Sequence, residues 1–160
     1  MPKRLNFWVG TGFTMGKILP KAPGTEGSLI ALVVGSLLFF YVGWWTLPAL
    51  LLASIFAGIL TAPWFLSEFG DDPGIFVMDE WAGQLLSMHI VFLLPESTEN
   101  LTSIYFLIGS FVGFRFFDIL KPLGIKKAES LGHVTGVMID DIIAGIYTLI
   151  TLFLIILAVL

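Results

Sequence analysis

SLIALVVGSLLFFYVGWWTLPALLLASIFAGILTAPWFLS, residues 28–67, runs for 40 positions without an Asp, Glu, Lys or Arg. A bilayer core of ~30 Å takes about 20 helical residues at about 1.5 Å each, so a single straight helix would be twice too long. The run must fold back. Trp44, Trp45, Thr46 and Pro48 stand near its middle, where interfacial indoles and a helix-stopping proline favour a tight hairpin. This predicts a first helix from Ser28 to Tyr41 or Trp45 and a second from Leu47 to Leu66. Further along, a shorter third helix is expected from near Asp79 to Leu94, closed by Pro95 and the polar Glu96-Ser97-Thr98-Glu99-Asn100 turn. A fourth should cover Leu101 to Leu120, and a fifth Ile139 to Leu160, where the tract from Ile142 onward is again uncharged. The expected fold is an all-α polytopic membrane bundle of four to five spans, with residues 1–160 forming one membrane-embedded domain.

Composition agrees. Of 160 residues, 57% are hydrophobic and 12% charged, and the mean hydropathy of +0.96 excludes a soluble domain. The absence of cysteine excludes thiol phosphatase chemistry, thiolate metal sites and disulfides. Met1 to Arg4 followed by apolar residues has the start of a signal peptide. Lys17 and Lys21 interrupt it and no small-residue cleavage pattern follows, so the N-terminus is expected to be retained.

The charges are clustered, and their positions carry more than the net −4. Lys3, Arg4, Lys17 and Lys21 precede the first predicted helix; Arg115, Lys121, Lys126 and Lys127 lie at or beyond the end of the fourth. Basic residues are retained on the cytoplasmic side. With five passages, the N-terminal segment, the Glu68 to Glu80 loop and the Arg115 to Asp140 region are expected to share the cytoplasmic face.

Two acidic pairs, Asp79-Glu80 and Asp140-Asp141, stand where polar loops are expected to enter apolar helices. Paired carboxylates suit Mg²⁺, a hard cation that shares its oxygen ligands with substrate phosphate. Acids also favour helix N-termini for electrostatic reasons alone. The residues that follow give the functional reading its weight: Glu80, Gly83, Gln84 and Ser87 fall at i, i+3, i+4 and i+7, as do Asp141, Ala144, Gly145 and Thr148. Each acid thus heads a stripe of small or polar side chains of the kind through which membrane helices touch, and so points into the bundle. Asp71-Asp72 heads no such stripe and is expected to be solvated. Gly109 and Gly113 read as helix packing.

Arg115, Asp118 and Lys121 recur every three residues on one helix face before Pro122. An Arg fork beside a Lys point charge makes a phosphate clamp, with Asp118 orienting Arg115 or adding a metal ligand. Cations at a helix end also snorkel to anchor it, which leaves Asp118 unexplained. Pro23-Gly24-Thr25-Glu26-Gly27-Ser28 reads as a turn whose Thr25 and Ser28 hydroxyls and free amides suit an anion, or in which Ser28 is an N-cap. His89 and His133 receive no role.

In this order, Pro23-Gly24-Thr25-Glu26-Gly27-Ser28, Asp79-Glu80, the Phe114 to Pro122 segment FRFFDILKP and the Gly136 to Gly145 segment GVMIDDIIAG resemble the phosphatidylglycerophosphatase A family over nearly the whole chain. Its motifs read PGT-x-GS, DE, FR-x-x-D-x-x-KP and G-x-x-IDD-x-x-AG. Glu26 occupies the variable position of the first and takes no family role. The resemblance implies Mg²⁺-dependent hydrolysis of the terminal phosphate of phosphatidylglycerophosphate to phosphatidylglycerol in the bacterial cytoplasmic membrane. The expected partners are that lipid and the membrane, with no nucleic acid. Asp79, Glu80, Asp140 and Asp141 are the expected Mg²⁺ ligands. Thr25, Ser28, Arg115 and Lys121 are expected to bind phosphate, and Asp118 and Lys121 to join the acids in catalysis. An ion-coupled transporter would also set carboxylates among small-residue stripes, but near mid-membrane and often within a repeat. A non-catalytic membrane subunit would leave four polar motifs unused.

Overall fold

The computed structural model describes residues 1–14, 22–70, 73–95, 100–129 and 133–159. Lys17 and Lys21, the Asp71-Asp72 pair and the Glu96 to Glu99 turn lie outside the described residues. Among the described residues every regular element is helical: α1 (Lys3–Gly10), α2 (Pro23–Tyr41), α3 (Thr46–Phe69), α4 (Met78–Met88) with a 3₁₀ extension (His89–Leu93), α5 (Asn100–Leu120), α6 (Ile125–Glu129) and α7 (His133–Val159).

Four helices are long and apolar enough to cross a bilayer: α2, α3, α5 and the Gly136–Val159 part of α7. Their outer faces carry exposed Leu29, Val33 and Leu37 on α2, Leu52 and Phe56 on α3, Ile108 and Val112 on α5, and Ile150 and Leu154 on α7. Only lipid solvates such a belt at no cost, and the helices bond most of their own backbone groups internally, as a bilayer demands. The molecule is a polytopic membrane bundle.

α4 differs from the expected third span. It has 11 residues and its 3₁₀ extension five, and Ala82, Gly83, Gln84, Leu85, Ser87 and Met88 are all buried. It packs on α2, α3, α5 and α7 at once. Contacts with α2 give its direction. Gly27 meets Val77, Gly35 meets Leu85 and Met88, and Phe39 meets the Phe92 ring edge-on at 6.0 Å. α4 therefore runs parallel to α2 and carries the chain through the interior, sheathed by the four long helices.

Several predicted boundaries shift. The first spanning helix begins at Pro23, not Ser28, because a proline at the first helical position gives up an amide that has no partner there anyway. The Pro23 to Ser28 motif is thus helix, not turn, and Ser28 is no N-cap: its hydroxyl donates back to the Gly24 carbonyl at 2.6 Å. The last helix begins at His133, not Ile139, so Asp140-Asp141 lies two turns inside a helix, away from its N-terminus. α1 and α6 were not expected. α1 is held on α3 by the Phe7–Phe65 stack at 6.4 Å and by Gly10, where a Cβ would strike the Phe65 ring. The Gly10 carbonyl also accepts the Val77 amide at 2.9 Å, tying α1 to the start of α4.

Candidate active site

The starts of α2, α4 and α7 and the end of α5 meet at one end of the bundle. Here Asp79 and Glu80 in the first turn of α4 and Asp141 on α7 bring carboxylate oxygens within 4.8 Å of one another. Asp118 of α5 stands beside Asp141, close enough for their charges to repel. Four acids from three helices, one of them (Asp141) buried, repel each other and have lost much of their hydration, so a cation or shared protons must balance them. The donors are all hard oxygens, the set that suits Mg²⁺.

Arg115 closes the other side. Its Nη1 donates to Asp118 Oδ2 at 2.7 Å and to Ser28 Oγ at 3.2 Å. Ser28 can accept because its own proton is committed to the Gly24 carbonyl. Arg115 Nε and Glu80 Oε2 are both buried and meet no protein partner. A buried donor left unpaired costs about 1–3 kcal/mol. An anion at the first and a cation at the second would satisfy both.

The two members of the second acidic pair part company. Asp140 is buried, but its Oδ2 takes the Lys121 ammonium at 2.8 Å, and it stands outside the three-carboxylate group. Successive helical side chains point about 100° apart, so Asp140 and Asp141 face different neighbours. Of the four acids expected to hold the metal, Asp79, Glu80 and Asp141 come together within 4.8 Å and Asp140 pairs with Lys121. Lys121 reaches Asp140 from a left-handed backbone conformation, φ 45°, that ends α5 immediately before Pro122. Such a conformation costs a non-glycine residue about 1–2 kcal/mol. Thr25 is half-buried in the same turn as Ser28 and makes none of these contacts.

The predicted small-residue stripes do bring the helices together. A Cβ on Gly83 would stand 2.5 Å from the Asp141 carbonyl oxygen, and one on Gly145 2.6 Å from the Gly83 carbonyl oxygen. α4 and α7 thus meet backbone to backbone one turn beyond their acids. Gly113 meets Thr148, completing the α5 contact. Below the acids, Gln84 Nε2 donates to Ser110 Oγ at 3.1 Å. Sequence reasoning took Gly24 and Gly27 as turn residues and missed their packing role. A Cβ on Gly24 would collide with Glu80 Oε1 and lie 3.3 Å from Arg115 Nη1, and one on Gly27 would press on Val77. The signal was present, since Gly24, Gly27, Ala31 and Gly35 form the same small stripe on α2 that was recognised on α4 and α7.

The sequence profile of the family Phosphatidylglycerophosphatase A matches residues 8–156. A Bacteroides thetaiotaomicron protein named "Putative phosphatidylinositol-3-phosphatase" is 38% identical over 153 residues, covering 93% of this chain and 92% of its own. Phosphatidylglycerophosphatase A of Haemophilus influenzae is 34% identical over 147 residues (91% and 85% of the two chains), and that of Escherichia coli K12 30% over 148 (90% and 80%). No solved structure matches. With four acids, an arginine and a lysine gathered at one end of a membrane bundle and the family profile covering nearly the whole of it, the chain belongs to the phosphatidylglycerophosphatase A family of phosphatases.

Proposed function

We propose that the protein hydrolyses the terminal phosphomonoester of phosphatidylglycerophosphate in an Mg²⁺-dependent reaction on the cytoplasmic face of a bacterial inner membrane. The observation that carries this reading is the convergence of Asp79, Glu80 and Asp141 within 4.8 Å. Lipid phosphates present a dianion at the membrane surface above hydrocarbon tails, and this end of the bundle sets acids and cations directly above an apolar belt.

Asp79, Glu80 and Asp141 are the residues that would hold Mg²⁺. When bound, the ion supplies positive charge against the phosphate oxygens and acidifies water. Arg115, with Nη1 anchored on Ser28 and Asp118, offers Nε and its remaining donors to the phosphate in fixed orientation. Lys121, held by Asp140, adds a second cation where charge develops as the P–O bond to glycerol breaks. Water supplies the new oxygen to phosphorus and a proton to the departing glycerol oxygen, giving phosphatidylglycerol and inorganic phosphate.

Lys3, Arg4, Arg115, Lys121, Lys126 and Lys127 all belong to elements at the site end, which supports placing that end in the cytoplasm. A transporter reading fits less well, because the acids lie at one end and the family is one of phosphatases. The name of the Bacteroides relative favours a second substrate, a lipid with phosphate on an inositol ring. Phosphate release by purified protein from phosphatidylglycerophosphate, phosphatidylinositol-3-phosphate and phosphatidic acid, with Mg²⁺ or with EDTA, tests the reading. Release from phosphatidylglycerophosphate only in Mg²⁺ is expected. Preference for the inositol lipid, or release undiminished by EDTA, would overturn it.

A further inference from the structure

A groove of about 240 Å³ lies on the outside of the bundle between α2 and α5, lined by Leu32, Val33, Ser36, Leu37 and Phe40 from one side and Ile104, Leu107 and Ile108 from the other. Its position relative to the site is fixed by helix geometry. On α2, Ser28, Leu32, Ser36 and Phe40 follow each other at four-residue intervals and so form one ridge that winds slowly around the helix. On α5, Arg115, Phe111, Ile108 and Ile104 share one face at spacings of four, three and four. The ridge and the face meet at the top, where Arg115 bonds Ser28. The groove is therefore the downward continuation of the seam whose upper end holds the arginine.

We infer that this groove holds an acyl chain of the lipid substrate, which reaches the site sideways from the bilayer between α2 and α5. The inference rests on the lipid phosphatase reading of the site and adds the place where the hydrocarbon lies. From Ser28 to Phe40 the helix descends about 18 Å. That is a little more than half of a ~30 Å hydrocarbon core, the depth available to one chain in one leaflet. Val33, Leu37, Phe40, Ile104 and Ile108 are between 37% and 52% exposed, so the groove opens to lipid along its length. Ser36 is the one hydroxyl in an otherwise hydrocarbon lining. The phosphate dianion at Arg115 and a tail at Ile108 are thus served by one helix face.

Two measurements test this. Ser36→Phe and Ile108→Phe each fill the groove with a ring on a lipid-facing surface, while Leu52→Phe on α3 and Ile150→Phe on α7 add the same bulk elsewhere. With dipalmitoyl substrate the groove variants should raise KM about five- to tenfold. With a dihexanoyl substrate kcat/KM should stay within about twofold of the unaltered protein, and the α3 and α7 variants should match it on both. Separately, phosphatidylglycerophosphate with a tail diazirine should crosslink in purified protein to residues 32–40 and 104–108, as mapped by mass spectrometry. Equal KM changes for all four variants, or crosslinks spread evenly over the outer faces of α3 and α7, would overturn the proposal. Crosslinks confined to the groove in protein that releases no phosphate from any lipid would uphold the groove and sink the phosphatase reading.

Discussion

Asp79-Glu80 and Asp140-Asp141 look like the same device in sequence and behave differently in the structure. Both members of the first pair enter the carboxylate cluster from the opening turn of α4, where the Glu80 amide also donates to Asp79 Oδ1 at 3.0 Å. The second pair sits two turns inside α7. There Asp141 joins the cluster and Asp140 turns to Lys121. A carboxylate pair thus gives two members of the cluster at a helix start, where the chain can adjust, and one member plus one partner of a lysine in mid-helix, where geometry separates neighbours by about 100°.

The sharpest way to break this contrast is to neutralise the acids one at a time. Asp141→Asn and Glu80→Gln should each lower phosphate release by more than about 100-fold and weaken Mn²⁺ binding, measured by paramagnetic resonance on purified protein. Loss of a partner outside a metal's own ligands typically costs about 10–100-fold, and loss of a ligand should exceed it. Asp140→Asn should stay within that lower range, about tenfold in kcat, with Mn²⁺ affinity nearly unchanged. If Asp140→Asn abolished Mn²⁺ binding as fully as Asp141→Asn, the two pairs would be equivalent after all.

A double-mutant comparison sharpens the second pair further. Lys121→Ala should reduce kcat by about 10–100-fold, and if Asp140 acts through the Lys121 ion pair, Lys121→Ala with Asp140→Asn should be no worse than Lys121→Ala alone. Multiplicative losses in kcat would show that Asp140 acts independently of Lys121.

Smaller still is the effect expected on the arginine side. Ser28→Ala removes one acceptor of Arg115 and leaves its Asp118 ion pair in place, so a two- to fivefold rise in KM with little change in kcat is expected from steady-state kinetics. The smallest effect is assigned to Lys3→Ala, which breaks the exposed Lys3–Glu68 pair at the edge of α1. Exposed pairs contribute about 0–1 kcal/mol, and both activity and melting temperature should stay near those of the unaltered protein.

Much of this was legible in the chain beforehand. The uncharged run from Ser28 to Ser67 dictates a two-helix hairpin, and the stripes headed by Glu80 and Asp141 identify the faces that touch. Helix ends were read less well. Pro23 looks like a turn residue until it is placed at a first helical position, and His133, Thr135 and Gly136 look like loop although nothing among them forbids a helix. The sheathed position of α4 was not legible, because a short apolar helix surrounded by others and one facing lipid have the same composition. Nor was the separation of Asp140 from Asp141, which depends on where α5 ends and on the backbone turn at Lys121. α1, at eight residues, is too short to stand without Phe65 beneath it.

The bare contact of Gly83 with Gly145 works as a mechanical keyway. Sliding α7 along α4 by one turn would carry Asp141 about 5.4 Å, farther than the 4.8 Å that encloses the three carboxylates. With two side chains at this crossing, any of several offsets could pack equally well. With none, the backbones fit at one offset, and Glu80 and Asp141, each three or four residues before its glycine, are brought level by it. The tolerance of the chemistry is therefore set one turn below it, by two residues that carry no functional group at all.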